Sequence, residues 1–145
     1  MATTYPGKSI LSTLSLAFIV FISFSISSCA RKLTFGISPV VPAAKGSVKI
    51  KKSKNNYYTL DVKVVNLAPP KRLTPPRDVY VVWVESKRHA PRNIGTIKSS
   101  SGLFSNTLKG ELKTEYPRKP TGVFITAEDN GHIQYPGTLV VLRTQ

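Results

Sequence analysis

Four prolines, Pro69, Pro70, Pro75 and Pro76, crowd into residues 69–76. No regular element passes through such a stretch, because each proline lacks an N–H donor and fixes φ near roughly −65°. The segment therefore reads as a loop or a crossover between sheets. On its N-terminal side, Tyr58, Leu60, Val62 and Val64 alternate with Thr59, Asp61, Lys63 and Val65. On its C-terminal side, residues 79–84 are almost continuously apolar, with Tyr80 and Trp83 among valines. The first pattern has the period of a half-buried strand, the second that of a strand buried on both faces.

The remaining segments agree. Val48 and Ile50 alternate with Lys49 and Lys51, and Asn55–Asn56 supply a turn, so the first two strands read as a hairpin with one wet face. A shorter strand is expected around Ile94 and Ile97 and another over residues 103–108, the middle forming a β-meander. Buried character returns at residues 123–127, and Pro136–Gly137 introduce a last strand over 138–142. No long helical period follows residue 30. About seven strands in roughly 100 residues predict an all-β, immunoglobulin-like antiparallel β-sandwich.

The first thirty positions are of another kind. A polar head ending in Lys8 precedes residues 10–26, which contain neither charge nor proline, and this reads as a hydrophobic signal helix used in export. Ile26, Ser27, Ser28 and Cys29 then place an aliphatic residue and two small ones before the only cysteine. This resembles the lipobox of bacterial lipoproteins. The resemblance implies diacylglycerol on the Cys29 thiol, cleavage just before it and often acylation of the new amino terminus. More than one chain suits stable anchoring, since each buried CH₂ contributes only about 0.8 kcal/mol. The alternative is an uncleaved signal anchor; the run approaches the ~20 residues that spanning needs but is diluted by Ser12, Thr13, Ser15, Ser23 and Ser25. Both readings place the rest of the chain outside the cytoplasm. The expected organisation is a signal peptide over 1–28, a lipidated N-terminus and flexible tether over 29–45, and the sandwich over 46–145. Ala30 lacks the acidic character of the best-known retention signal, so the outer membrane is expected in a host with two.

A second resemblance lies in the order of several segments: Tyr80-Val81-Val82-Trp83-Val84-Glu85, Gly95, Phe124-Ile125-Thr126-Ala127-Glu128, and Pro136-Gly137 before an apolar strand. In this order the chain resembles the extracytoplasmic C-terminal domain of anti-sigma-K factors. The resemblance implies the fold and an extracytoplasmic sensing, docking or structural role. It does not carry over sigma-factor inhibition, because the family's sigma-binding part is cytoplasmic and the residues before Cys29 are all spent on export.

Charge supplies the remaining functional signal. There are 21 Lys and Arg against 7 Asp and Glu, a formal +14, which favours anionic surroundings. Lys49, Lys51, Lys52 and Lys54 follow the expected lipid and suit anionic headgroups; Arg72, Arg77, Arg88 and Arg92, in loops and turns, suit acidic polysaccharide or an envelope protein. Nucleic acid is disfavoured, since the aromatics fall in apolar strands instead of forming a stacking platform. A single cysteine excludes a disulfide framework and multi-cysteine metal sites. His89 and His132 stand in separate turns without a partner at ligand spacing, and Glu128, Asp129 and His132 form at most a weak chelating set. No phosphate-cradling loop or cofactor motif occurs. The expectation is a non-catalytic binding, sensing or structural module without a cofactor. A pocket of convergent polar groups is the observation that would favour an enzyme.

Overall fold

The computed structural model describes residues 1, 30–53, 55–97, 100–102 and 105–145. Cys29, Lys54 and the signal segment over 2–28 lie outside the described residues. The described residues form nine strands: β1 (Arg31–Thr34), β2 (Lys45–Lys52), β3 (Tyr58–Val65), β4 (Val79–Ser86), β5 (His89–Ile97), β6 (Ser100–Gly102), β7 (Ser105–Tyr116), β8 (Pro120–Glu128) and β9 (Val140–Arg143), with one 3-10 turn at Pro70–Arg72. They pair in two antiparallel sheets, of order β1-β2-β3-β7-β6 and β5-β4-β8-β9. Without β1, these are the A-B-E-D and C′-C-F-G orders of the immunoglobulin sandwich.

The alternation read from the sequence sets the layers. Val48, Ile50, Leu60, Val62 and Val64 from the five-stranded sheet meet Tyr80, Val82, Val84, Val123, Ile125 and Ala127 from the four-stranded sheet in one core. Each of the valines, leucines and isoleucines contributes roughly 1.5–3 kcal/mol on burial. β4 is buried on its other face as well: Val81, Trp83 and Phe124 form a second cluster against which Ile133 packs. The Trp83 and Phe124 rings stack at 6.2 Å, and the Trp83 indole N–H donates to Thr126 Oγ1 at 2.8 Å. The segment after β8 therefore folds back over the outer face of its own sheet.

The proline-rich segment is the crossover it was expected to be, leaving the five-stranded sheet after β3 and entering the other at β4. It is secured by the Tyr80 hydroxyl, which donates to the Ala68 carbonyl at 2.7 Å, and by the Lys71–Asp78 ion pair. The β2–β3 hairpin forms as expected; its register sets Lys52 opposite Tyr58, with Asn56 at φ 61° in its turn.

Other expectations are corrected. Residues 30–45 are not a free tether, because Arg31–Thr34 pair with Ser47–Ile50. Leu33 enters the core from this strand, and the backbone beyond it bonds to the C-terminal residues, Gly36 N–H to the Arg143 carbonyl and Gln145 N–H to the Thr34 carbonyl. Nor is the middle a meander: β5 stays with β4, whereas β6 and β7 belong to the opposite sheet. Ser100–Gly102 are a short edge strand, and the strand expected over 103–108 meets β7, which runs from Ser105 to Tyr116; residues 103 and 104 lie outside the described residues. The last strand begins at Val140, after the Pro136–Gly137 segment has been held back by Glu128.

Candidate functional site

The strand registers gather several turns at one end of the sandwich. Arg31 is opposite Ile50 at the start of β1, Tyr58 pairs with Tyr116, and the Ser86 and Tyr116 hydroxyls meet at 3.0 Å across the two sheets. The β2–β3, β4–β5 and β7–β8 turns and Ala30 therefore share that end. Together they bring Arg31, Lys51, Lys52, Lys87, Arg88 and Lys119 to one exposed surface. Tyr57 is exposed there too.

The carboxylates are mostly committed elsewhere, which leaves this end uncompensated. Glu111 pairs with Lys63, Asp78 with Lys71, Asp129 with Arg77 and Glu85 with Arg143. Asp61 lies in a cross-strand row between Lys49 and Lys113, with Lys32 beyond Lys49. Glu115, opposite Thr59, and Glu85, which precedes Ser86 and is held by Arg143, are the carboxylates nearest the basic end.

The residues expected to contact anions separate into groups. Lys49, Lys51 and Lys52 line a shallow concavity with Ala30, and Arg88 lies at the same end in the β4–β5 turn, at φ 62°. Arg72 and Arg77 sit on the crossover at the opposite end. Arg77 is structural: its guanidinium bonds to Asp129 at 2.7 Å and its backbone N–H to the Pro70 carbonyl at 3.0 Å. Arg72 lies exposed beside Ala43 and Ala68. Arg92 faces a groove that sequence reading does not anticipate.

That groove, of about 700 Å³, runs beside β5 and is lined by His89, Arg92 and Thr96 from the strand, Arg118 from the β7–β8 turn, and His132 and Gln134 from the segment after β8. A β-bulge builds its wall. The β4–β5 register shifts between Val82 and Trp83, and Gly95 adopts φ 135°, a conformation suited to glycine. The Asn93 side chain then donates to the Gly131 and Ile133 carbonyls at 2.9 and 3.0 Å, while its Oδ1 accepts from Gly95 N–H at 3.0 Å. His89, expected in a turn, is the first residue of β5, while His132 lies outside the strands; both are exposed, and the asparagine clamp brings the segment of His132 to the cleft beside β5.

The chemistry offered is donor-rich. No carboxylate, serine or cysteine lines the groove among the described residues, and the Tyr116 hydroxyl is engaged with Ser86. The weak chelating set does not assemble: Glu128 Oε1 accepts from Gly137 N–H at 2.8 Å and Asp129 holds Arg77. Among the described residues, no three His, Cys, Asp or Glu side chains converge. The Tyr80 hydroxyl, raised to about 12 by burial, is a structural donor far from proton-transfer chemistry at neutral pH. Comparison with protein-family models, with curated proteins and with solved structures finds no match to this chain.

Proposed function

We propose that the chain is a lipid-anchored, extracytoplasmic, non-catalytic binding or structural module that rests on its own membrane through its basic end. The observation that carries this reading is the start of β1 at Arg31. A lipid on Cys29 leaves only Ala30 as spacer, and two residue steps span at most about 7 Å. That is within the Debye length of ~8 Å at physiological ionic strength. Arg31, Lys51, Lys52, Lys87, Arg88 and Lys119 then lie where each cation gains roughly 1 kcal/mol from an anionic leaflet. Tyr57 at the same end suits the headgroup region, where tyrosine places its ring in apolar and its hydroxyl in polar surroundings.

The segment order that resembles the extracytoplasmic part of anti-sigma-K factors supports the same location. The groove beside β5 does gather polar side chains, the outcome that favours an enzyme, but among the described residues its histidines stand beside no carboxylate, serine or cysteine, and this supports a binding role. The outer membrane is the proposed destination in a two-membraned host. Intact-mass spectrometry of membrane-extracted protein beside a Cys29→Ala variant tests the reading. A mass beginning at Cys29 with acyl chains, lost in the variant, is expected; a full-length unmodified mass overturns the lipid anchor in favour of an uncleaved signal helix.

A further inference from the structure

We infer that the groove beside β5 is a binding site for a small oxyanion carrying two or more negative charges, of the phosphate or dicarboxylate type. Arg92 lies in β5 and Arg118 in the β7–β8 turn, yet both line one cleft with His89 and His132. Neither arginine has a carboxylate partner among the described residues, whereas Lys63, Lys71, Arg77 and Arg143 all do. A planar guanidinium presents paired N–H donors that match the oxygen spacing of such an anion, and two of them across a cleft favour a ligand with more than one charge. The imidazoles and the Gln134 amide add donors of shorter reach.

The arrangement is built. Asn93 spends both N–H groups of its amide on the carbonyls of Gly131 and Ile133, fixing the two residues on either side of His132 to the strand that carries Arg92. A second clamp acts within the turn, where His132 N–H donates to Asn130 Oδ1 at 2.9 Å. The backbone that carries His132 is therefore held against β5 before any ligand arrives, which reduces the ordering cost of binding. The anion has two sources, a soluble ligand or the headgroup of an anionic phospholipid, because Arg118 lies next to the basic end.

The test uses the full chain in zwitterionic detergent, titrated with pyrophosphate and followed by calorimetry and by backbone amide NMR. Saturable binding is expected, with the largest shifts at His89, Arg92 and His132. Arg92→Gln and Arg118→Gln, both at exposed positions, are each expected to weaken it by about tenfold or more. A Lys45→Gln/Lys109→Gln double variant, on the outer face of the other sheet, removes twice the charge of either arginine variant and is expected to leave affinity within about twofold. Non-saturable binding, or an equal loss in the lysine variant, overturns the inference. Repeating the titration in phosphatidylcholine nanodiscs with and without phosphatidic acid, whose phosphomonoester headgroup can carry two charges, identifies the source: competition by phosphatidic acid points to the headgroup, undiminished affinity to a soluble anion. Binding by the Cys29→Ala chain in detergent is expected to be unchanged, so this result stands or falls separately from the lipid anchor.

Discussion

The Glu128 carboxylate at the end of β8 holds the backbone N–H of Gly137 at 2.8 Å. This one bond joins the acidic end of the penultimate strand to the Pro-Gly pair that precedes the last one, closing the nine-residue step between them. Glu128 is buried, and a Cβ on residue 137 would stand 2.5 Å from Glu128 Oε2. The glycine is needed for the approach. Glu128→Ala removes the acceptor and leaves the Gly137 N–H without its partner, a loss of about 1–3 kcal/mol. Glu128→Gln keeps a carbonyl acceptor and is expected to lose less. Urea denaturation of the two variants checks the order; equal losses would show that charge, not acceptance, matters.

Burial of Trp83 depends on Thr126. Thr126→Val leaves the indole N–H buried without an acceptor and is expected to cost about 1–3 kcal/mol. Adding Trp83→Phe removes the orphaned donor, so the two losses are not additive, with a coupling of roughly 0.5–3 kcal/mol. A double-mutant cycle in equilibrium denaturation measures it; strict additivity would contradict the contact.

Gly110 of β7 lies against Ile97 of β5, and a Cβ there would stand 2.3 Å from Ile97 Cγ2. Gly110→Ala therefore overpacks the junction of the two sheets and is expected to cost about 1–3 kcal/mol. Ile97→Val removes bulk beside it, so the double variant is expected to recover part of the loss in a thermal melt.

Tyr80 gives stability a signature at high pH. Its hydroxyl is pushed up to about 12 by burial, above the ordinary tyrosine value of about 10. Below about 10 both folded and unfolded chains are protonated there and the stabilisation is whole; as pH rises from about 10 towards 12 only the unfolded chain ionises, and stability falls. Tyr80→Phe is expected to abolish that slope while costing about 1 kcal/mol at neutral pH through the lost bond to Ala68. Denaturation midpoints measured across this range for both proteins decide the point.

The parts legible in the sequence are those whose burial is written in their own residues. β4 shows its two buried faces as an unbroken apolar run, and β2 and β3 show their single buried face as strict alternation. β1 escapes notice because Leu33 is its one inward apolar residue, among Arg31, Lys32 and Thr34. The far half of β7 is missed for a related reason: its inward positions include Gly110 and Thr114, weak signals between charged neighbours. The basic end was partly visible as the lysine cluster in β2, since strand pairing brings sequence neighbours together. The groove was not, because its two histidines meet only through the Asn93 clamp, and neither histidine's own surroundings in the chain point to the other.

The seam formed by β1 has a mechanical meaning. One side of this segment is paired with β2, and just beyond it the chain is hydrogen-bonded to residues 143–145, so the first strand grips both sheets. A force drawn out through residue 30 acts along the strand, and β1 must slide lengthwise against β2 instead of peeling away one pair at a time. Its hydrogen bonds then share the load in parallel. The point at which the chain enters the domain is thus built as a shear clamp, suited to transmitting tension into the sandwich without first unravelling it.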